Sequence, residues 1–298
     1  MFKMAEYSFV AGILAAGLAL VCHVLFVATS RLDRARASSG VAGAGTRTSE
    51  LTLTRAAPSP EGLATYGTLI AWLALAFISA SLVFRAVAVG HGPFANMYEF
   101  SIAFAWGILA AYLYFERRYH PRVVGLIALS IALAMLLYAT TIPSTSPPLG
   151  PALQNNLLLT VHVAVAIVAY GTFSVAFAAA ALYLIQSRRR WRGLPDPDAL
   201  ESISYRAVVI GFPFLTLVIL LGAVWADVAW GSYWSWDPKE TASLVTWLIY
   251  GAYLHARVVR SWRESRSAWL LVAGFAATLF TYFGNLFLGG LHSYSGLS

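Results

Sequence analysis

The sequence predicts an all-α polytopic membrane protein with about eight transmembrane helices and both termini external. Three observations carry this. Charged residues make up 11% of the 298-residue chain and hydrophobic residues 59%, whereas soluble domains carry roughly 25% charged residues. Eight apolar runs approach the ~20 residues that a helix needs to cross a bilayer, and backbone groups in lipid must be satisfied within their own segment, which excludes open sheet. Of 20 Lys and Arg residues, 17 fall in alternate connections between those runs, the positive-inside pattern that sets orientation.

The first run, near 7–29, carries only Lys3 and Glu6 ahead of it and is too long for a signal peptide, so it reads as a retained anchor entering from outside. Arg31, Arg34, Arg36, Arg47 and Arg55 then place the connection 30–63 in the cytoplasm. Its stretch 38–60 is rich in small residues, Pro and Gly, the composition of a disordered loop. Residues 1–63 therefore form an anchor with a basic loop, and 64–298 a membrane domain. The remaining spans are predicted near 64–86, 98–116, 122–141, 158–184, 206–226, 241–258 and 267–288. Arg117, Arg118 and Arg122 mark the loop 117–122 as cytoplasmic. Arg188, Arg189, Arg190, Arg192 and Arg206 do so for 185–205, and Arg257, Arg260, Arg263 and Arg266 for 259–266. Segments 87–97, 142–157, 225–240 and 289–298 are then external, with only Lys3, Arg85 and Lys239 left for that side. Asn96 with Glu99 reads as a capping box for the third helix. Pro143, Pro147, Pro148 and Pro151 make 142–153 an irregular loop. Asp237-Pro238-Lys239-Glu240 reads as an N-cap, a first-turn Pro and a box-closing Glu for the seventh helix.

Several functions are excluded. The net charge of +7 lies in membrane-flanking loops, not on a nucleic-acid face. The single cysteine, Cys22, sits within the anchor, so thiol–disulfide chemistry is not expected. No phosphate-binding glycine loop or Ser-His-Asp arrangement occurs. Eighteen Arg against two Lys point to a GC-rich bacterial genome and hence the bacterial plasma membrane.

The densest chemistry lies in the external segment. Trp225, Trp230, Trp234 and Trp236 fall within twelve residues together with Tyr233, next to Asp237. Interfacial tryptophan belts are sparse and span-spaced, whereas a packed aromatic bed suits a large flat apolar ligand with a charged edge, heme being the physiological candidate. His162, one turn into the fifth span, and His292, after the eighth, share that external side, and neutral imidazole is a strong axial ligand for heme iron. Singly each also reads as an interfacial histidine bonded to a neighbour; jointly, beside the tryptophans, they read as iron ligands. His255 lies roughly 22 Å deeper on the seventh span. Glu240, Leu244, Trp247, Gly251 and His255 share one helical face, which is expected to line a path from the inner leaflet. His23 sits at similar depth, and a His23–His255 pair is geometrically open. Asp237 and Glu240 are either purely caps or also site residues. Lys239 is either the partner of a heme propionate or a solvated loop lysine. His91 reads as loop structure and His120 as ordinary surface.

Trp230-Gly-Ser-Tyr-Trp234-Ser-Trp236-Asp237-Pro-Lys-Glu240, running on to Trp247-Leu-Ile-Tyr250 and Leu254-His255, resembles the tryptophan-rich WWD signature of heme-handling proteins. It is similar above all to the CcsA (ResC) family, the heme-handling half of the system II cytochrome c synthase. Gly90-His91-Gly-Pro93, Asn96-Met-Tyr98-Glu99, Val161-His162-Val163, Asn285 and His292-Ser-Tyr carry the same resemblance from about residue 64 to the last. The resemblance implies that heme b, as substrate, crosses the membrane and is joined to Cys-x-x-Cys-His of apocytochrome c by two thioether bonds. It implies His162 and His292 as external axial ligands, and His255 as an intramembrane ligand whose counterpart comes from a separate CcsB/ResB chain. The chain would then be one subunit of a holocytochrome c synthase, with positioning as its role and no acid–base residue assigned. Two other readings stay open: a CcmC-like heme export or chaperone subunit without synthase activity, and a membrane protein whose Trp segment binds a quinone or lipid.

Overall fold

The computed structural model describes residues 1–40, 60–145, 156–191, 194–259 and 265–292. Its regular elements are helical: α1 (Phe2–Gly40), α2 (Pro60–Val89), α3 (Met97–Tyr119), α4 (Val124–Thr140), α5 (Asn156–Arg189), α6 (Pro197–Trp230), α7 (Pro238–Val259) and α8 (Ser265–Phe283), followed by a 3-10 turn at Gly284–Leu286. The eight helices fall where the apolar runs predict them. Among the described residues, α1, α2, α3, α5, α6 and α8 are long and apolar enough to cross a bilayer. The chain is thus a polytopic helical membrane protein. α4, with 17 residues, extends about 25 Å at 1.5 Å per residue, short of the ~30 Å hydrocarbon core. α7 has 22 residues, but Lys239, Glu240, His255 and Arg257 dilute its apolar character. Residues 41–59 of the small-residue loop, Pro147, Pro148 and Pro151 of the proline-rich loop, and Ser293 and Tyr294 lie outside the described residues.

Local chemistry sets the helix ends. Gly90, at φ +76°, stops α2, and its N–H bonds the Ala86 carbonyl, the αL termination that glycine permits. The expected capping box opens α3. Asn96 accepts from the Glu99 N–H at 2.9 Å, while Glu99 Oε2 accepts from the Ala95 N–H at 2.8 Å, one residue earlier than the standard box. His120 ends α3 in a left-handed conformation on the exposed surface.

α5 is the central helix, packed against α3, α4, α6 and α8, while α1 rests on α2 and α4 at the flank. Lipid-immersed helices associate through close backbone approach rather than hydrophobic drive. The α3–α5 crossing shows this: a Cβ placed on Gly171 would stand 2.4 Å from the Gly107 carbonyl oxygen. An ion pair is buried inside the bundle. Arg85 Nε donates to Glu99 Oε1 at 2.8 Å with both side chains buried, and the guanidinium lies over the Tyr98 ring.

His23 is fully buried and structural. Its Nδ1–H donates to the Ala19 carbonyl at 2.8 Å, and its Nε2 accepts from the Tyr112 hydroxyl at 2.8 Å. Gly67 and Gly125 leave the space its ring occupies. With both nitrogens engaged by α1 and α3, the His23–His255 pair does not form.

Removing one partner of the buried Arg85–Glu99 pair strands the other charge, at a typical cost of 3–5 kcal/mol. Glu99→Ala is therefore expected to destabilise the folded chain by about that much in reversible unfolding from mixed micelles. The double variant Arg85→Met/Glu99→Leu should recover a large part of the loss; equal losses in single and double variants would contradict a paired-charge origin.

Candidate functional site

The Trp-rich segment is more helical than its sequence suggests. Nothing in Trp225-Ala-Asp-Val-Ala-Trp230 breaks a helix, so α6 runs through Trp230 and stops at Gly231, whose φ of +75° and N–H bond to the Asp227 carbonyl form a left-handed C-cap. The connecting loop is therefore 231–237, not 225–240. Glu240 folds it back: its Oε2 accepts from the Ser235 N–H at 2.9 Å and from the Asp237 N–H at 3.2 Å. Trp236 takes φ +59°, a conformation rare for a bulky side chain.

Asp237 caps α7 as expected, accepting the Lys239 N–H on Oδ1 at 2.9 Å, but it does more. Oδ1 also accepts from His292 Nδ1 at 2.8 Å, and Oδ2 accepts the Leu291 N–H at 2.6 Å. Gly290 permits this approach, since a Cβ there would fall 2.3 Å from Oδ2. A carboxylate only accepts, so His292 carries its proton on Nδ1 and presents the Nε2 lone pair, the arrangement of a metal-ligating imidazole with an oriented tautomer. Burial would raise the Asp237 carboxyl, but the His292 hydrogen bond and the Lys239 and Leu291 N–H groups outweigh it and hold the group at about 2. Burial lowers His292, and the hydrogen bond to Asp237 only partly opposes it, a shift toward the neutral form that can ligate a metal.

A cavity of about 100 Å³ lies between α3, α5, α6, α7, α8 and the turn that follows α8. Both His162 and His292 line it, with Trp225, Tyr233, Trp234 and Lys239. His162 Nδ1 is buried without a hydrogen-bond partner, and Gly222 makes room for the ring, since a Cβ there would sit 2.9 Å from Cε1. Trp225 and Trp230 meet edge to face at 4.7 Å, and the Trp230 ring stands 4.9 Å from His292. Trp230 thus backs the histidine without lining the cavity. Trp236 turns outward at 69% exposure, with its ring edge on Trp234. Among the described residues no three His, Cys, Asp or Glu side chains converge as a metal cluster.

His255 is exposed on α7, away from the cavity. The path expected along Glu240, Leu244, Trp247, Gly251 and His255 is closed against α6. Trp247 stacks on Phe212 at 5.3 Å and donates to Thr216 Oγ1 at 2.9 Å, and the Phe212 ring fills the space beside Gly251. His91 bonds the Gly92 carbonyl as a loop residue. Sequence reasoning missed Phe100, Phe104, Tyr170, Tyr282 and Gly222, which complete the cavity wall. Single aromatics inside apolar spans carry no signal; only the small Gly222 within α6 hinted at a close neighbour.

These features define a membrane protein with a two-histidine, aromatic-lined pocket at one end of its helical bundle. Residues 94–292 match the family model described as cytochrome C assembly protein. A Guillardia theta protein named "Cytochrome c biogenesis protein CcsA" is 38% identical, the alignment covering 78% of this chain and 86% of that protein. A protein of the same name from Gloeothece citriformis is 35% identical, with coverage of 80% and 88%. Among solved structures, the cytochrome c heme lyase CcmF superposes with a TM-score of 0.61 at 20% identity; 93% of this chain is covered, but it spans only 46% of that longer protein. The chain belongs to the CcsA family of cytochrome c assembly proteins.

Asp237→Ala removes an N-cap and a hydrogen bond between a carboxylate and a buried histidine, together about 3 kcal/mol. Glu240→Ala, which loses only contacts to an exposed loop, should cost about 1 kcal/mol. Thermal unfolding followed by tryptophan fluorescence checks the order, and the reverse ranking would be evidence against Asp237 as the central tie.

Proposed function

We propose that this chain handles heme in cytochrome c biogenesis, holding heme b as substrate between His162 and His292 for attachment to apocytochrome c. One observation carries the reading: two histidines line the same aromatic cavity, one with an unpaired buried nitrogen and the other oriented by Asp237. When bound, the substrate supplies the iron and the vinyl groups across which the thiols of Cys-x-x-Cys-His add. The protein's residues bind and orient. His162 and His292 ligate the iron, Asp237 keeps the Nε2 of His292 directed away from itself, and Trp225 and Trp234 offer apolar faces to the ring. Positioning of this kind accounts for much of the rate of a reaction between held partners. In this reading residues 64–298 form the heme-handling part, and the chain acts as a subunit of the synthase.

The site lies near the N-terminal end of α5, whereas Arg188 and Arg189 close its other end, about 40 Å from His162 along the helix. With the basic residues on the cytoplasmic side, the cavity faces outward, to the periplasm in a bacterial plasma membrane. The exposed His255 supports a partner. An imidazole on the outer surface of a membrane helix calls for a counterpart, here a histidine from a CcsB/ResB chain with which it would hold heme inside the membrane.

The test is a visible spectrum of the chain purified with its partner from heme-replete cells. Wild type should show a low-spin bis-histidine spectrum; His162→Ala and His292→Ala should each weaken it, with recovery in added imidazole. A colourless wild type would falsify the heme reading and favour a quinone or lipid. His255→Ala should leave the outer site's spectrum intact and lower total heme per complex, as measured by pyridine hemochrome.

A further inference from the structure

We propose that Lys239 binds a carboxylate of the ligand, so that the cavity selects the free-acid form of the macrocycle and fixes which edge lies against α7. The inference rests on the heme-handling reading and deepens it. Lys239 sits in the first turn of α7, lines the cavity and is partly buried, so it belongs to the cavity wall rather than to a solvated loop. Its Nζ lies 5.6 Å from the centre of the Phe100 ring. Among the described residues no carboxylate comes within 4 Å of that ammonium.

The two neighbouring acids are turned elsewhere. Asp237 directs its oxygens to His292 and to the Leu291 and Lys239 N–H groups. Glu240 accepts from Ser235 and from the Asp237 N–H. The ammonium therefore faces a cavity lined mainly by apolar and aromatic side chains and the two histidines; Glu240, which also lines it, is held by the loop, and the Phe100 ring face lies 5.6 Å from Nζ. A cation partly withdrawn from water against apolar walls is unfavourable until it meets an anion, and a ring face compensates only in part. The missing complement is an acid group on the edge of a large flat apolar body. Two histidines on the iron leave a ring free to turn about the axial direction; a cation at one point on the rim stops that rotation. Lys239 is thus a positioning residue, and its effect is on which ligand form binds and in which orientation.

The experiment titrates the purified full-length chain, in detergent and stripped of heme, with hemin and with hemin dimethyl ester, following the Soret band. Wild type should bind hemin at least about tenfold more tightly than the diester, the scale of a hydrogen bond to a charged group. Lys239→Met should lose that preference by weakening hemin alone, and Lys239→Arg should keep it. Unchanged diester binding by Lys239→Met shows that the site itself is intact. Equal wild-type affinity for the two forms overturns the assignment, whatever the variants do, as does a preference that survives in Lys239→Met. A Soret band without preference thus refutes Lys239 alone, whereas no Soret band with either form refutes the heme reading and this inference with it.

Discussion

The Asp237 carboxylate binds together parts of the chain that would otherwise have no reason to meet. It receives one N–H from the start of α7, one from Leu291 and the ring N–H of His292, the last two from residues more than fifty positions away. A buried carboxylate is unfavourable unless its lone pairs are occupied, and here three donors occupy them, which is why the group stays ionised down to about 2. The same contacts start a helix, anchor the turn after α8 and orient one of the two histidines. A cap by itself contributes about 1 kcal/mol; as a junction between distant segments it determines whether the cavity has a second wall.

Beneath this junction the bundle follows the rules of lipid-immersed packing. Where α3 crosses α5, glycines bring the backbones into contact, and the buried Arg85 and Glu99 neutralise each other. His23 is instructive. A histidine within a membrane span invites a functional reading, yet both of its nitrogens are engaged by Ala19 and Tyr112, and it serves to fasten α1 to α3. His255 presents the opposite case: it lies at comparable depth but faces outward, where a second chain can reach it.

How much of this the sequence disclosed depends on the kind of signal. Hydropathy and the distribution of arginines located all eight helices, because span length and loop charge are local properties. Asn96–Glu99 and Asp237–Glu240 were legible as caps for the same reason. The extension of α6 to Trp230 was not, since an aromatic cluster reads as a loop until the absence of a breaker before Gly231 is given weight. The pairing of Asp237 with His292 was hidden because no periodicity links residues on opposite sides of α8. Phe100, Phe104, Tyr170 and Tyr282 were hidden because an aromatic facing a cavity and one facing lipid look alike in a linear sequence. The closed α6–α7 seam was misread for a related cause: helical phase shows which residues share a face, but not that Phe212 covers it.

The cavity draws its walls from α3 onward and receives its second histidine only after α8, and this has a consequence for synthesis. Until the ribosome has passed residue 292, His162 faces a half-built pocket and the Asp237 carboxylate lacks two of its three donors. A nascent chain arrested in any earlier helix can enter the membrane but cannot bring the two histidines to one cavity. A cavity lined by both histidines therefore reports that translation and insertion have run through every helix of the bundle.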